Sequence, residues 1–166
     1  MFDKPTLVTS DWEFLTCLLY RKVLGMDSYK KLVVWQESRR LNREIYRVVS
    51  KFPPSELYAL SDQLKRASIS ITSNIAEGYG QGSLKNRLRF LFMARGSQYE
   101  VETQLTIACD LGFATEADIQ TAIAIETKIG KLLNGLIRYT IDQIHRGESI
   151  RIEETGYEYG TDSEMI

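Results

Sequence analysis

S-N-I-A-E-G-Y-G-Q-G-S-L-K-N-R-L-R-F-L, running from Ser73 to Leu91, is the stretch on which the fold turns. Gly78, Gly80 and Gly82 alternate, and a basic run follows at once. A phosphate cradle needs backbone N–H groups converging at a helix N-terminus, with glycines permitting close approach. The stretch carries neither G-x-x-x-x-G-K-[ST] nor G-x-G-x-x-G, and what precedes the glycines reads as helix rather than strand. A corner between two helices is the stronger reading. In it Gly78 supplies a left-handed cap, Gly80 and Gly82 relax the turn, and Ser83 opens the next helix. Because Lys85, Arg87 and Arg89 follow directly, a polyanion-binding reading stands beside the corner.

Working outward, apolar residues at helical spacing fall on both sides of the corner. Leu57, Leu60, Leu64, Ala67, Ile71 and Ile75 predict one face of a helix that stops at Gly78. Before it, Trp35, Leu41, Ile45, Val48, Val49 and Phe52 form an amphipathic stretch ended by Pro53 and Pro54, whose rings forbid continuation. After the corner come Leu84, Leu88, Leu91, Ala94, Gln98, Val101, Leu105 and Ala108, a stripe with one polar interruption that ends before Gly112. Thr115 with Asp118 resembles a shortened capping box, and Ala114 with Ile119 a staple, ahead of a fourth stripe: Ile119, Ile123, Glu126, Ile129, Leu133, Leu136 and Thr140. Strand-like alternation is hard to find, so the fold class is all-α. Four helices of roughly 20 residues with short loops predict an up-down-up-down antiparallel four-helix bundle. It is expected over residues 29–145, between an N-terminal extension, 1–28, and an acidic flexible tail, 146–166. Met26 opens M-D-S-Y-K-K-L as an alternative start, so the first 25 residues are expected to be dispensable.

Composition narrows the function classes. A chain of 166 residues buries a real core in one domain without a staple. Cys17 and Cys109 stand far apart and His145 is the only histidine, so zinc-ligand spacing is absent and no cofactor is expected. Thiols used this way suit a reducing cytoplasm. The apolar run Phe14 to Tyr20 is too short to span a bilayer, so no membrane partner is expected. The formal net charge of −1 hides an uneven distribution. Between Tyr29 and Phe52, Lys30, Lys31, Arg39, Arg40, Arg43, Arg47 and Lys51 face only Glu37 and Glu44. From Asp142 onward the balance reverses, with Glu148, Glu153, Glu154, Glu158, Asp162 and Glu164 against Arg146 and Arg151.

Arg39, Arg43 and Arg47 recur every fourth residue and make a basic ridge on the first helix. Two readings apply: a solvated face partly paired with Glu37 or Glu44, or a surface that contacts phosphates. Like charges at that spacing mildly destabilise a helix, and a polyanion would offset the cost. Lys30, Lys31, Arg40, Lys85, Arg87 and Arg89 complete the candidate nucleic-acid set. For acid–base chemistry the candidates are Glu77, Glu100 and Glu102, but antiparallel helices set Glu77 far from Glu100 along the axis. A structural polar core is the better role, built from Arg66, Asn74, Glu77, Arg95 and Glu100, with glutamates paired to arginines. His145 has no serine or cysteine partner, so a nucleophilic triad is not expected, and Cys109 reads as core filler.

Several words together resemble a known group, the four-helix-bundle proteins encoded by intervening sequences of 23S ribosomal RNA genes, also labelled S23. They are L-V-V-W-Q-E-S at Leu32 to Ser38, E-I-Y at Glu44 to Tyr46, and F-P at Phe52 and Pro53. Then come Q-L-K-R-A-S-I-S-I-T-S-N-I-A-E-G at Gln63 to Gly78, F-L-F-M-A-R-G-S at Phe90 to Ser97, and E-V-E-T-Q-L at Glu100 to Leu105. The resemblance spans about Tyr29 to Tyr139 and implies a non-enzymatic bundle that self-associates, with a homopentamer expected. The chain is also similar to the accessory variability protein of diversity-generating retroelements, a basic bundle that binds a reverse transcriptase and RNA. Two positions depart from the family pattern: Arg39 stands where histidine is common, and Gln81 where a basic residue is. The function this implies is RNA binding or scaffolding, the alternative being an adaptor whose ring surface recruits a partner protein.

Overall fold

The computed structural model describes residues 28–147. The expectations for the N-terminal extension, the alternative start and the acidic tail fall outside those residues. Four helices make the fold: α1 (Val33–Val49), α2 (Leu60–Gly80), α3 (Leu84–Asp110) and α4 (Glu116–His145). Short 3-10 turns at Ser28–Lys31 and Pro54–Glu56 precede α1 and α2, and there is no strand among the described residues.

The predicted helices form where their apolar faces lie, and their ends follow local chemistry. Ser50 closes α1 three residues ahead of Pro53, as the proline pair requires. Ser83 caps α3 by accepting the Asn86 N–H at 3.4 Å. At the far end of α3, Gly112 takes φ 71°, donates to the Cys109 carbonyl at 2.9 Å, and lets Phe113 N–H reach the Ala108 carbonyl at 2.9 Å. That Schellman pair satisfies carbonyls which would otherwise lack donors. It also fixes Phe113, whose ring lies 6.0 Å from that of Phe52. The capping box of α4 is complete: Thr115 Oγ1 accepts from Asp118 N–H at 3.2 Å, and Asp118 accepts from Thr115 N–H at 3.0 Å. Thr115→Ala is therefore expected to cost about 1 kcal/mol in urea unfolding, with little change in m-value.

Two expected boundaries shift. The α2 helix begins at Leu60 rather than Leu57, because the chain leaving Pro54 first makes a 3-10 turn; Leu57 and Tyr58 stay exposed. Gly78 is not a left-handed cap. It is helical and buried, α2 continues to Gly80, and positive φ among the described glycines occurs only at Gly112 and Gly147. A Cβ at Gly78 would stand 3.0 Å from Phe90 Cβ and 3.3 Å from the Arg87 carbonyl, so the missing side chain is what lets α2 and α3 approach.

Neighbouring helices run antiparallel. Residue numbers fall on one as they rise on the other: Glu37 meets Lys128 and Arg47 meets Asp118 across α1 and α4. Ser70 meets Ser97, and Gly78 meets Phe90, across α2 and α3. The α1 helix packs on α2 and α4 while α3 packs on the same two, so α1 and α3 occupy opposite corners of a closed square. Leu41, Ile45, Leu64, Ile71, Ile75, Leu91, Leu105, Ile129 and Leu133 are fully buried at its centre. Burial of each such side chain stabilises the fold by about 1.5–3 kcal/mol before entropy is counted. Cys109 packs at the edge of this core as expected, and burial raises its thiol pKa.

Candidate nucleic-acid interface

Because the buried stripe of α1 runs through Val34, Leu41, Ile45 and Val48, the opposite side turns outward with Arg39, Arg40, Arg43 and Arg47, all exposed. Their partners differ. Arg40 donates twice to Glu37, at 2.9 and 3.2 Å, and Lys128 from α4 reaches the same carboxylate at 2.8 Å. Those contacts, Lys128 first, hold the Glu37 carboxyl below its ordinary value despite burial. Arg47 donates to Glu44 at 2.6 and 2.9 Å and to the Asp118 carbonyl at 2.7 Å; the Glu44 bond raises its pKa. Lys51 pairs with the Asp118 carboxylate, which the Lys51 and Thr115 donors hold well below the usual carboxylate range. Arg39 and Arg43 have no carboxylate partner among the described residues. The ridge is thus half neutralised, toward α4 and its C-terminal end, and half open.

Aromatic side chains are interleaved with the open half. The Arg39 guanidinium lies over the Trp35 ring, 5.0 Å from its centroid, and Tyr29 meets Trp35 edge-on at 5.3 Å. Gln36 Nε2 donates to the Lys30 carbonyl at 3.0 Å, tying the 3-10 turn and its Lys30 and Lys31 to the helix. Two helical turns beyond Arg39, Tyr46 is half exposed, with Lys65 of α2 over its ring at 5.4 Å. Between them Asn42 donates to Thr72 Oγ1 at 3.0 Å, while its own carbonyl oxygen is buried without a donor.

The second basic group sits on the opposite corner. Lys85 and Arg89 are exposed on the first turns of α3, Arg89 over Phe90 at 5.1 Å. Arg87 is half-buried over the Tyr79 ring at 4.3 Å, its Nε lacks an acceptor, and burial lowers its pKa. Burial likewise raises the pKa of Tyr79. The nine candidate cations therefore form two groups without a single face: Lys30 and Lys31, with Arg39 on the second turn of α1, lie toward the end of the bundle that carries Lys85, Arg87 and Arg89, whereas Arg47 stands at the other end beside Asp118. The glycine corner contributes no cradle, since Gly78 and Gly80 are helical and only Gln81 to Ser83 link α2 to α3.

The expected polar core is largely a different set. Arg66 is exposed, 3.9 Å from Asp62, because it lies off the Leu64–Ala67 stripe. Glu77 is exposed one position ahead of buried Gly78, and Glu100 is exposed, accepting from Gln104 at 2.9 Å. Arg95 is half-buried, donating to Asn134 at 3.3 Å and covering Phe92 at 4.8 Å. Of the five, only Asn74 is buried, bonded to Ser70, which meets Ser97 at 2.9 Å. The buried polar pair is instead Gln98 of α3 with Glu126 of α4, the amide donating to the carboxyl. Burial, with Glu102 adding repulsion, raises the Glu126 pKa to about 7. The signal was available, since each residue interrupts an otherwise apolar stripe.

Glu102, the third acid–base candidate, is exposed, and there is no cluster fit to hold a metal ion among the described residues. None of the described helices is long and apolar enough to cross a membrane. The α3 helix also exposes Phe92, Met93, Tyr99 and Ile107, with Leu111 exposed just past its end.

A family model described as 23S rRNA-intervening sequence protein matches residues 30–135, which is most of the bundle. Among solved structures, a protein of unknown function from the S23 ribosomal protein family of Bacteroides thetaiotaomicron VPI-5482, at 1.70 Å, has the same fold. The TM-score is 0.57 at 24% identity, covering 63% of this chain and 98% of that one. No match is found among curated proteins.

Proposed function

We propose, on the premise that the chain belongs to the 23S rRNA-intervening sequence protein family, that it is a non-enzymatic, homo-oligomeric bundle that binds RNA through the outer face of α1. One observation carries the reading: Arg39 and Arg43 stand on an exposed face without carboxylate partners among the described residues, in a chain whose net charge is −1. Basic side chains left open beside neutralised ones are what phosphate contact requires, and they position the backbone without reading sequence. Lys85 and Arg89 would extend the contact at the shared end. Self-association, as a pentamer on the expectation drawn from the resemblance, would cover the apolar residues exposed on α3. The reading places the protein in the cytoplasm with no cofactor.

Fluorescence anisotropy against a structured RNA hairpin, at low and near-physiological salt, tests this. Binding should fall steeply with salt, and Arg39→Glu with Arg43→Glu should weaken it while leaving helicity intact. Loss of two phosphate contacts lowers the log–log salt slope by about 2. Unchanged affinity would remove the ridge from the interface. The exposed α3 residues favour a second reading, a protein-interaction adaptor, which a nuclease-resistant stoichiometric protein partner would support.

A further inference from the structure

Resting on the RNA-binding reading, we infer that the RNA taken by the α1–α2 seam is single-stranded, with unpaired bases stacking on Tyr46 and on the Arg39 guanidinium above Trp35. The seam offers two flat platforms. Arg39 is held over Trp35, its guanidinium carbon 5.0 Å from the ring centroid, and Trp35 is itself met edge-on by Tyr29, so the guanidinium is anchored on the ring rather than waving in solvent. Tyr46 is 50% exposed, seven residues further along the same helix, or ~10 Å at 1.5 Å per residue. Arg43 lies between them along the helix, exposed and without a carboxylate partner among the described residues, where a phosphate linking two bases would pass. Lys65, placed over the Tyr46 ring from α2, adds a third positive charge.

A surface made only for duplex RNA has no use for exposed aromatic faces, because paired bases hide theirs and the contacts go to phosphates and 2′-hydroxyls. Cations interleaved with aromatic rings are the arrangement that holds single strands, in which every base has a face to stack and every linkage a charge to neutralise. The positive excess of this face argues for a polyanion rather than a second copy of the chain.

Anisotropy with an unstructured RNA oligonucleotide and with a duplex of equal length, at one salt concentration, tests the inference. Single-stranded RNA should bind more tightly. Tyr46→Leu should weaken that binding roughly tenfold, Tyr46→Phe should restore it, and neither should alter duplex binding. Arg39→Lys, which keeps the charge but loses the plane, should weaken single strands alone. A 2-aminopurine in the strand should be quenched on binding to the parent and less so with Tyr46→Leu. Equal binding of both RNA forms, weakened by charge reversal but indifferent to Tyr46→Leu, would overturn the stacking inference and leave the RNA-binding reading standing. Absence of binding to either RNA even at low salt would overturn both. If Tyr46→Leu leaves single-strand binding intact but yields a smaller assembly, the seam belongs to contact between copies and the inference fails.

Discussion

Between pH 5 and pH 8 the bundle is expected to lose about 2–3 kcal/mol of stability through one side chain, and Glu126→Gln is expected to remove most of that loss. Glu126 is 2% exposed, and burial lifts its pKa from 4.5 to about 7. A carboxyl whose pKa is higher in the folded state holds its proton there after the unfolded chain has released it. Stability is therefore greatest below the unfolded value and declines as pH rises toward the folded one. The acids held below their ordinary values, Glu37 and Asp118, work in the opposite direction, but their effect is complete below about pH 5. Among the described groups whose values are shifted, Glu126 is thus the one that acts between pH 5 and pH 8. Gln at this position keeps an acceptor for the Gln98 amide and carries no charge, so its stability should be nearly flat there. Urea unfolding at four pH values measures both slopes. A parent protein equally stable at pH 5 and pH 8 would mean the carboxylate finds solvation inside the bundle.

Gly78→Val should cost about 1–3 kcal/mol, although valine is the better helix former. Its Cβ would fall 3.0 Å from Phe90 Cβ and 3.3 Å from a backbone carbonyl that cannot swing aside, and two further methyls would follow. Separating α2 from α3 to make room would loosen the most extensive contact between helices in the fold. Gly96→Ala is the control. Gly96 lies mid-helix in α3 with nothing within 4 Å of the added Cβ, so alanine there should stabilise by about 0.5–1 kcal/mol. Thermal unfolding of the two variants with opposite signs would assign the effect to the helix contact. A stabilised Gly78→Val would show that the contact yields easily.

What the sequence disclosed and what it withheld divide along a physical line. The stop at Pro53, the caps at Ser83 and Thr115, and the end at Gly112 are decided by bonds within a few residues, and each stands where local chemistry put it. The role of Gly78 is decided by the helix facing it, which no local pattern contains. The same holds for the polar centre. Periodicity tells which side of a helix is inward but not which level of its neighbour it meets, so Gln98 and Glu126 looked like separate interruptions until antiparallel register joined them. Arg66, Glu77 and Glu100 flank buried positions and lie about 100° around the helix from them, enough to reach water. The candidate interface was legible as a charge pattern. Its neutralised half was only partly so: Glu37 and Glu44 share a helix with Arg40 and Arg47, but Lys128 and Asp118 come from far along the chain.

The seam between the first and last helices also sets an order of events. Its bonds join residues 67, 71 and 91 positions apart, whereas Ser70 and Ser97, across α2 and α3, are separated by only 27. Closing the longer loop costs more chain entropy before any contact rewards it. The α2–α3 hairpin is thus the part able to form early, and the docking of α1 onto α4 completes the bundle. Run backwards, the seam between α1 and α4 is the contact that opens first, and what holds the face carrying Arg39 and Arg43 in place is the burial of Leu41, Ile45 and Val48, with the ion pairs on Glu37 and Asp118 adding to it.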